Sequence, residues 1–164
     1  MTTPISLRPL RVDDADEMAR VLADPGLYTF TGGEPPTAEA LAEQYGFQAR
    51  GWSPDRSERW INDLIVLDST GEAVGYVQAT VPQDGGPAEV AWVVGAPWQG
   101  RGFATTAARL LLARLAGLGV RGVIAHIHPD HAASNAVARR CGMRPTDQVV
   151  DGEVRWEGPV AGGG

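Results

Sequence analysis

The chain of 164 residues holds a single cysteine, so no disulfide can form within it, which fits a reducing cytoplasm. No apolar run approaches the roughly 20 residues that span a bilayer. The first residues, Met1-Thr-Thr-Pro-Ile5, lack the basic-then-apolar order of a secretory leader. A cytoplasmic protein with no membrane partner is therefore expected. Positive charge is also scarce, with 14 Lys and Arg against 20 Asp and Glu and a net charge of −6, which argues against a nucleic-acid partner. An acidic surface attracts cationic amines, but the same excess also serves solubility. The three histidines, His126, His128 and His131, have no cysteine or carboxylate at a spacing that completes a known metal set, so no metal is expected. Hydrophobic content of 43% and charged content of 21% are ordinary for a soluble globular chain. The length suggests one domain, and no repeat or linker divides it.

The most informative stretch runs from Glu89 to Thr106. Val90 to Val94 is an apolar run of β-branched and aromatic residues that reads as a strand. Gly95 and Pro97 end it, Gln99-Gly100-Arg101-Gly102 follows, and a helical pattern opens at Phe103. Ala104, Ala107, Ala108, Leu111, Leu115 and Leu118 fall on one stripe of that helix, which Gly117 and Gly119 end. A strand, a glycine turn and a helix N-terminus together form an anion site, because the first-turn N–H groups are unpaired and lie at the positive end of the helix dipole. Gly100 and Gly102 lack the Cβ atoms that would keep a phosphate off the backbone. A nucleoside-triphosphate loop would need Lys-Ser/Thr where Phe103-Ala104 stands. A dinucleotide site would need a third glycine where Thr105 stands, and an acidic residue about 20 positions on. The pyrophosphate of coenzyme A is the third ligand class, and a turn with no ligand is the plain structural alternative.

Taken in order, Ile5 to Leu10 reads as a short strand. Asp13 is placed to cap a helix carrying Ala15, Met18, Ala19 and Leu22 inward, and Pro25-Gly26 stops it. A loop with two aromatics, Leu27 to Pro36, leads to a second helix capped by Thr37, with Leu41 and Tyr45 on one face. Trp60 to Leu67 and Ala73 to Val81 form a hairpin around Asp68-Ser-Thr-Gly71, and the Glu89 strand is the next in line. After the long helix come a strand at Gly122 to Ile127 and a short helix with Ala133, Val137 and Cys141 inward, closed by Gly142. A final hairpin turns at Asp151-Gly152, around Val149-Val150 and Glu153 to Trp156.

Gln99-x-x-Gly102-x-Ala104 resembles the acetyl-CoA loop of the GNAT acetyltransferases, Gln/Arg-x-x-Gly-x-Gly/Ala. The element order matches that superfamily over nearly the whole chain. Pro129, Ser134, Val137, Gly142 and Met143 are similar to a second motif of the branch containing ribosomal-protein N-terminal acetyltransferases, with His131 where that branch carries Asn. The resemblance implies an α/β (α+β) fold: a mixed, mostly antiparallel twisted sheet flanked by helices, splayed between its fourth and fifth strands. It implies a single acetyltransferase domain over residues 1–160, with 161–164 as a flexible tail, acting as a monomer or homodimer. Acetyl-CoA would be the cosubstrate, with Gln99, Gly100, Arg101, Gly102, Ala104 and Thr105 at the pyrophosphate, Val93 and Val94 pairing with pantetheine, and Asn135 touching the cosubstrate.

The chemistry implied is direct attack of a primary amine, of a protein N-terminus or of a small amine or antibiotic, on the thioester. Glu89 is the candidate base, since an ammonium must lose a proton to attack near neutral pH; the other reading is a carboxylate that orients the amine or pairs with a neighbouring strand. Ser134 is the candidate acid toward sulfur, against a helix-capping role. His128 or His131 could also handle protons. Tyr28 and Phe30, with Trp60, are expected to wall the acceptor site, as aromatics on irregular segments often do. A non-catalytic module that only binds a CoA ligand is the competing reading.

Overall fold

The computed structural model describes residues 4–160; the expected tail at 161–164 lies outside the described residues. The strands are β1 (Ile5–Pro9), β2 (Glu58–Leu67), β3 (Ala73–Pro82), β4 (Ala88–Val94), β5 (Gly122–Ile127), β6 (Arg144–Val150) and β7 (Glu153–Pro159). Helices α1 (Ala15–Val21) and α2 (Ala38–Gln48) lie between β1 and β2, α3 (Phe103–Gly117) between β4 and β5, and α4 (Ala132–Arg140) between β5 and β6. Seven strands form one sheet in the order β1-β2-β3-β4-β5-β7-β6. Every neighbouring pair is antiparallel except β4 and β5.

The period-two alternation of the strands sends their side chains to two separate cores. On one face Ile61, Val77, Val90, Val94 and Val123 pack with Phe103, Ala107, Leu111 and Leu115 of α3. On the other, Leu64 packs with Met18 of α1 and with Leu41 and Tyr45 of α2. Arg114 of α3 reaches back into the sheet and pairs with Asp63 of β2, which is almost wholly buried.

Four local expectations change. Asp13 does not cap the first helix. A 3-10 turn over Val12–Asp14 precedes it, and Asp14 turns inward to accept the Arg11 N–H (2.8 Å) and both terminal guanidinium nitrogens of Arg8 (2.9 and 2.7 Å). Leu118 is exposed, because α3 ends at Gly117 and the stripe has left the core by then. Ala133 is also exposed, and Val137 and Ala138 are the buried residues of α4. Finally β6 begins at Arg144, five residues before Val149. It is a mostly exposed edge strand, so its polar sequence shows no inward alternation.

Candidate active site

The sheet opens where the sequence resemblance implied. Strands β4 and β5 are in register only at Ala88↔Val123 and Glu89↔Ile124, and then separate. Beyond Glu89 the β5 side of β4 therefore has no strand partner among the described residues.

Alternation of main-chain groups decides which residues face that gap. The Gly95 N–H bonds to the Val74 carbonyl of β3 at 2.8 Å, and Val93, two residues earlier, is registered with Tyr76 of the same strand. A Cβ built on Gly75 would lie 2.1 Å from the Val93 carbonyl oxygen, so that oxygen points at β3. Val93 is thus already paired within the sheet. The main chain facing the gap belongs to Trp92 and Val94, and the expectation for Val93 is corrected on this ground. Val94 is also where the loop is pinned, since Gln99 Nε2 donates to its carbonyl at 2.9 Å. The Gln99 side chain is thereby spent on holding the turn.

The turn leads through Ala96–Trp98 to α3, whose N-cap is Gly102 at φ +79° with no side chain capping the helix. The first intrahelical bond runs from the Thr106 N–H to the Gly102 carbonyl. The N–H groups of Phe103, Ala104 and Thr105 precede it and are available to an anion. Gly100 also has φ +79°, and a Cβ on either glycine would meet nothing within 4 Å. The space over these amides is open because both residues are glycine. Arg101 is exposed beside them, while the Thr105 side chain is buried, leaving its N–H as the useful group. Across the gap, Asn135 of α4 donates through Nδ2 to the Pro129 carbonyl at 3.0 Å. Its Oδ1 is buried without a hydrogen-bond partner among the described residues, an acceptor that an amide N–H of a pantetheine arm would satisfy. These groups fit an elongated thioester that carries a pyrophosphate.

Glu89 and Ile124 are registered partners, and Glu89 Oε1 lies 2.9 Å from Nδ1 of His126, two residues further along β5. Sequence reasoning treated the histidines as a group and missed this pair. The usable signal was His126 sharing a strand face with Ile124, which becomes informative only once β4 and β5 are known to be adjacent and in register. Trp92 is three residues beyond Glu89, roughly 10 Å along the strand, so the pair sits at the closed end of the gap.

At the α4 N-terminus His131, and not Ser134, is the cap. Its Nδ1 accepts the Ser134 N–H at 3.3 Å, and its Nε2 lies 3.3 Å from Ser134 Oγ. Burial pushes the His131 ring below the usual histidine range, and neighbouring His128 acts in the same direction. Phe30 stacks on His131 with ring centroids 4.8 Å apart, and tilts against His128 at 5.0 Å.

The three expected acceptor residues part company. Tyr28 lines a cavity of about 240 Å³ beneath α2, together with Glu34, Tyr45, Asn62, Tyr76 and Gln78. Phe30 lies against the histidines instead. Trp60 is on the same sheet face, registered with Thr80, but does not line the cavity. Burial pushes the Tyr76 phenol up to about 12 and raises Tyr28 and Tyr45 as well, so all three stay neutral near neutral pH.

A split sheet with an uncapped helix at its mouth fits the class of acyl-CoA-dependent transferases. Residues 5–144 match the acetyltransferase (GNAT) domain. The chain belongs to the GNAT acetyltransferases, which transfer an acetyl group from acetyl-CoA. No curated protein matches it. Among solved structures, RimL, a ribosomal L7/L12 alpha-N-protein acetyltransferase in complex with coenzyme A, superposes at TM-score 0.79 with 16% identity, over 98% of this chain and 97% of that one. The microcin C7 self-immunity acetyltransferase MccE, in complex with acetyl-CoA and AMP, gives TM-score 0.77 and 16% identity over 95% and 92%. A chimera of the spermidine N-acetyltransferase SpeG from Vibrio cholerae gives 0.75 and 16% over 96% of both chains. Their names point to different acceptors, so the shared fold leaves the acceptor of this chain open.

Proposed function

We propose that the protein transfers the acetyl group of acetyl-CoA to the primary amine of a compact small molecule, with Glu89 and His126 as the proton-accepting pair and Ser134 as donor to sulfur. The observation that carries this reading is the cavity of about 240 Å³ on the sheet face that also bears Glu89. At about 30 Å³ per water-sized group, it has room for roughly eight such groups. That suits a compact amine better than a folded protein terminus. Neutral tyrosine rings attract an ammonium through their π faces, and Glu34 adds a carboxylate to the lining.

In this reading the amine nitrogen bonds to the acetyl carbon, and the carbon–sulfur bond breaks with its electron pair on sulfur. Amide formation removes two protons from the ammonium. One passes by way of Glu89 and His126 to solvent, through water, since the pair sits at the end of the gap. The sulfur takes up the equivalent of the other, donated by Ser134 and restored from solvent. The N–H of Trp92 or Val94 steadies the carbonyl oxygen as charge develops on it.

The test is a panel of amines graded by size and charge, with acetyl-CoA, following free thiol and product mass. Turnover confined to amines that fit the cavity supports the reading. Acetylation only of peptide N-termini would replace its acceptor, and coenzyme binding without thiol release from any amine would make the chain a binding module.

A further inference from the structure

The strand register orders the floor of the cavity beneath α2. Asn62 of β2 is opposite Gln78 of β3, and Gln78 is opposite Ala91 of β4. Glu89 lies two residues from Ala91 on the same face, so Gln78 and Glu89 are diagonal neighbours, roughly 7–8 Å apart. Ala91, small and exposed, leaves the way between them open. A molecule that brings its amine to Glu89 therefore lays its body over Gln78 and Asn62.

The lining is polar but nearly uncharged. Gln44 and Gln48 of α2 join Asn62 and Gln78 in it, making four carboxamides. Among the described residues none of the four side chains hydrogen-bonds to protein, nor do the Tyr45 and Tyr76 hydroxyls, whereas Tyr28 is spent on the Leu22 carbonyl. The one sealed side-chain group without a partner among the described residues is Asn135 Oδ1, so these groups open onto the cavity. No basic residue is among the lining. Of the two acidic ones, Asp63 has its carboxylate paired with Arg114 of α3 on the opposite face. Glu34 is exposed, where water competes for it. Carboxamides and phenols each donate and accept, which matches hydroxyls and amides. A second ammonium, or a carboxylate, would be buried there without a counter-charge.

We propose that the acceptor is a singly charged primary amine whose neutral body carries hydroxyl or amide groups, read by the side chains of Gln78 and Asn62. This rests on the reading of the cavity as the acceptor site. Three matched pairs of amines test it with acetyl-CoA, comparing kcat/KM. Glucosamine should exceed cyclohexylamine, alaninamide should exceed alanine, and putrescine should gain nothing over n-pentylamine. The first two pairs also separate a hydroxyl-bearing body from an amide-bearing one. Gln78→Met and Asn62→Leu keep the bulk and remove the hydrogen bonds. Each should lower the glucosamine-to-cyclohexylamine ratio, or that of alaninamide to n-pentylamine, roughly tenfold. A change in ratio between variant and wild type cancels differences in basicity among the probes. Acetyl-CoA affinity by calorimetry shows that each variant is folded, and either folded variant suffices. An unchanged ratio, or a preference for putrescine or alanine, would overturn the proposal. Small amines turned over with no polar preference would remove this inference alone. Turnover confined to peptide N-termini would remove the cavity reading with it.

Discussion

Glu89 and His126 stand on the two strands that part from one another, 2.9 Å apart at the last point where those strands are still paired. The contact joins the two halves of the sheet and presents a carboxylate and an imidazole to the same side. If the pair accepts the amine proton, Glu89→Gln should lower kcat/KM by about 10² to 10⁴-fold, the usual range for a general base. Acetyl-CoA affinity should hardly change. Part of the loss should return at high pH, where the acceptor arrives neutral. His126→Gln should show the same recovery, and the double variant should be little worse than either single one. A rate deficit that is flat with pH would assign the pair to orientation instead.

Gly102→Asp tests the loop. The new carboxylate would stand over the first-turn amides of α3, where the glycine now leaves open space. Anion stabilisation at a helix N-terminus is worth up to about 2 kcal/mol, so acetyl-CoA should bind roughly tenfold to thirtyfold more weakly by calorimetry. Circular dichroism should show the fold retained despite the positive φ. Unchanged affinity in a folded variant would move the pyrophosphate elsewhere.

Gly75→Ala should be costly although it adds one methyl group. Its Cβ would lie 2.1 Å from the Val93 carbonyl oxygen and 2.9 Å from the Val94 Cα. Both are backbone, so β3 and β4 must move apart. Overpacking of this kind costs about 1–3 kcal/mol, which for a chain of this size lowers Tm by roughly 3–10 °C. Thermal unfolding measures it, and an unchanged Tm would mean that the two strands separate with little resistance.

The Phe30–His131 stack gives a prediction in pH. Burial, for which Phe30 supplies one wall, holds the folded ring below its ordinary 6.5. The lowered value means that the neutral ring's contribution to stability is present above the unfolded pKa and is lost as pH falls through the folded one. Phe30→Ala admits water, so the His131 midpoint followed by proton NMR should rise toward 6.5. The low-pH fall in stability should lessen with it. A midpoint that does not move would mean that Phe30 contributes nothing to the burial.

The order of strands and helices was legible because most elements carry a period and a stop. Leu41 and Tyr45 behind Thr37, and Ala107, Leu111 and Leu115 behind the glycines, announce which face is inside, and they do lie in the two cores. The loop was legible because glycine conformation is a local matter. Three things were not. Which of Val93 and Val94 faces the gap depends on hydrogen-bond phase with β3, which side-chain alternation does not reveal. The Glu89–His126 contact spans 37 positions and depends on strand register. The cavity beneath α2 draws on the loop after α1, on α2, and on β2 and β3, so Tyr76 and Gln78 gave no sign among residues that read only as strand.

The short pairing of β4 with β5 leaves a row of main-chain groups on β4 without a ladder partner among the described residues, and a pantetheine arm carries amides of its own. An arm laid in the gap would act as a substitute strand, so part of the sheet's cohesion depends on how much cosubstrate surrounds the protein. A ligand that binds only the folded chain adds about 2.7 kcal/mol at a hundred times its Kd. The heat resistance of this enzyme should therefore follow the local supply of acetyl-CoA, with amide exchange at Trp92 and Val94 slowing as it rises.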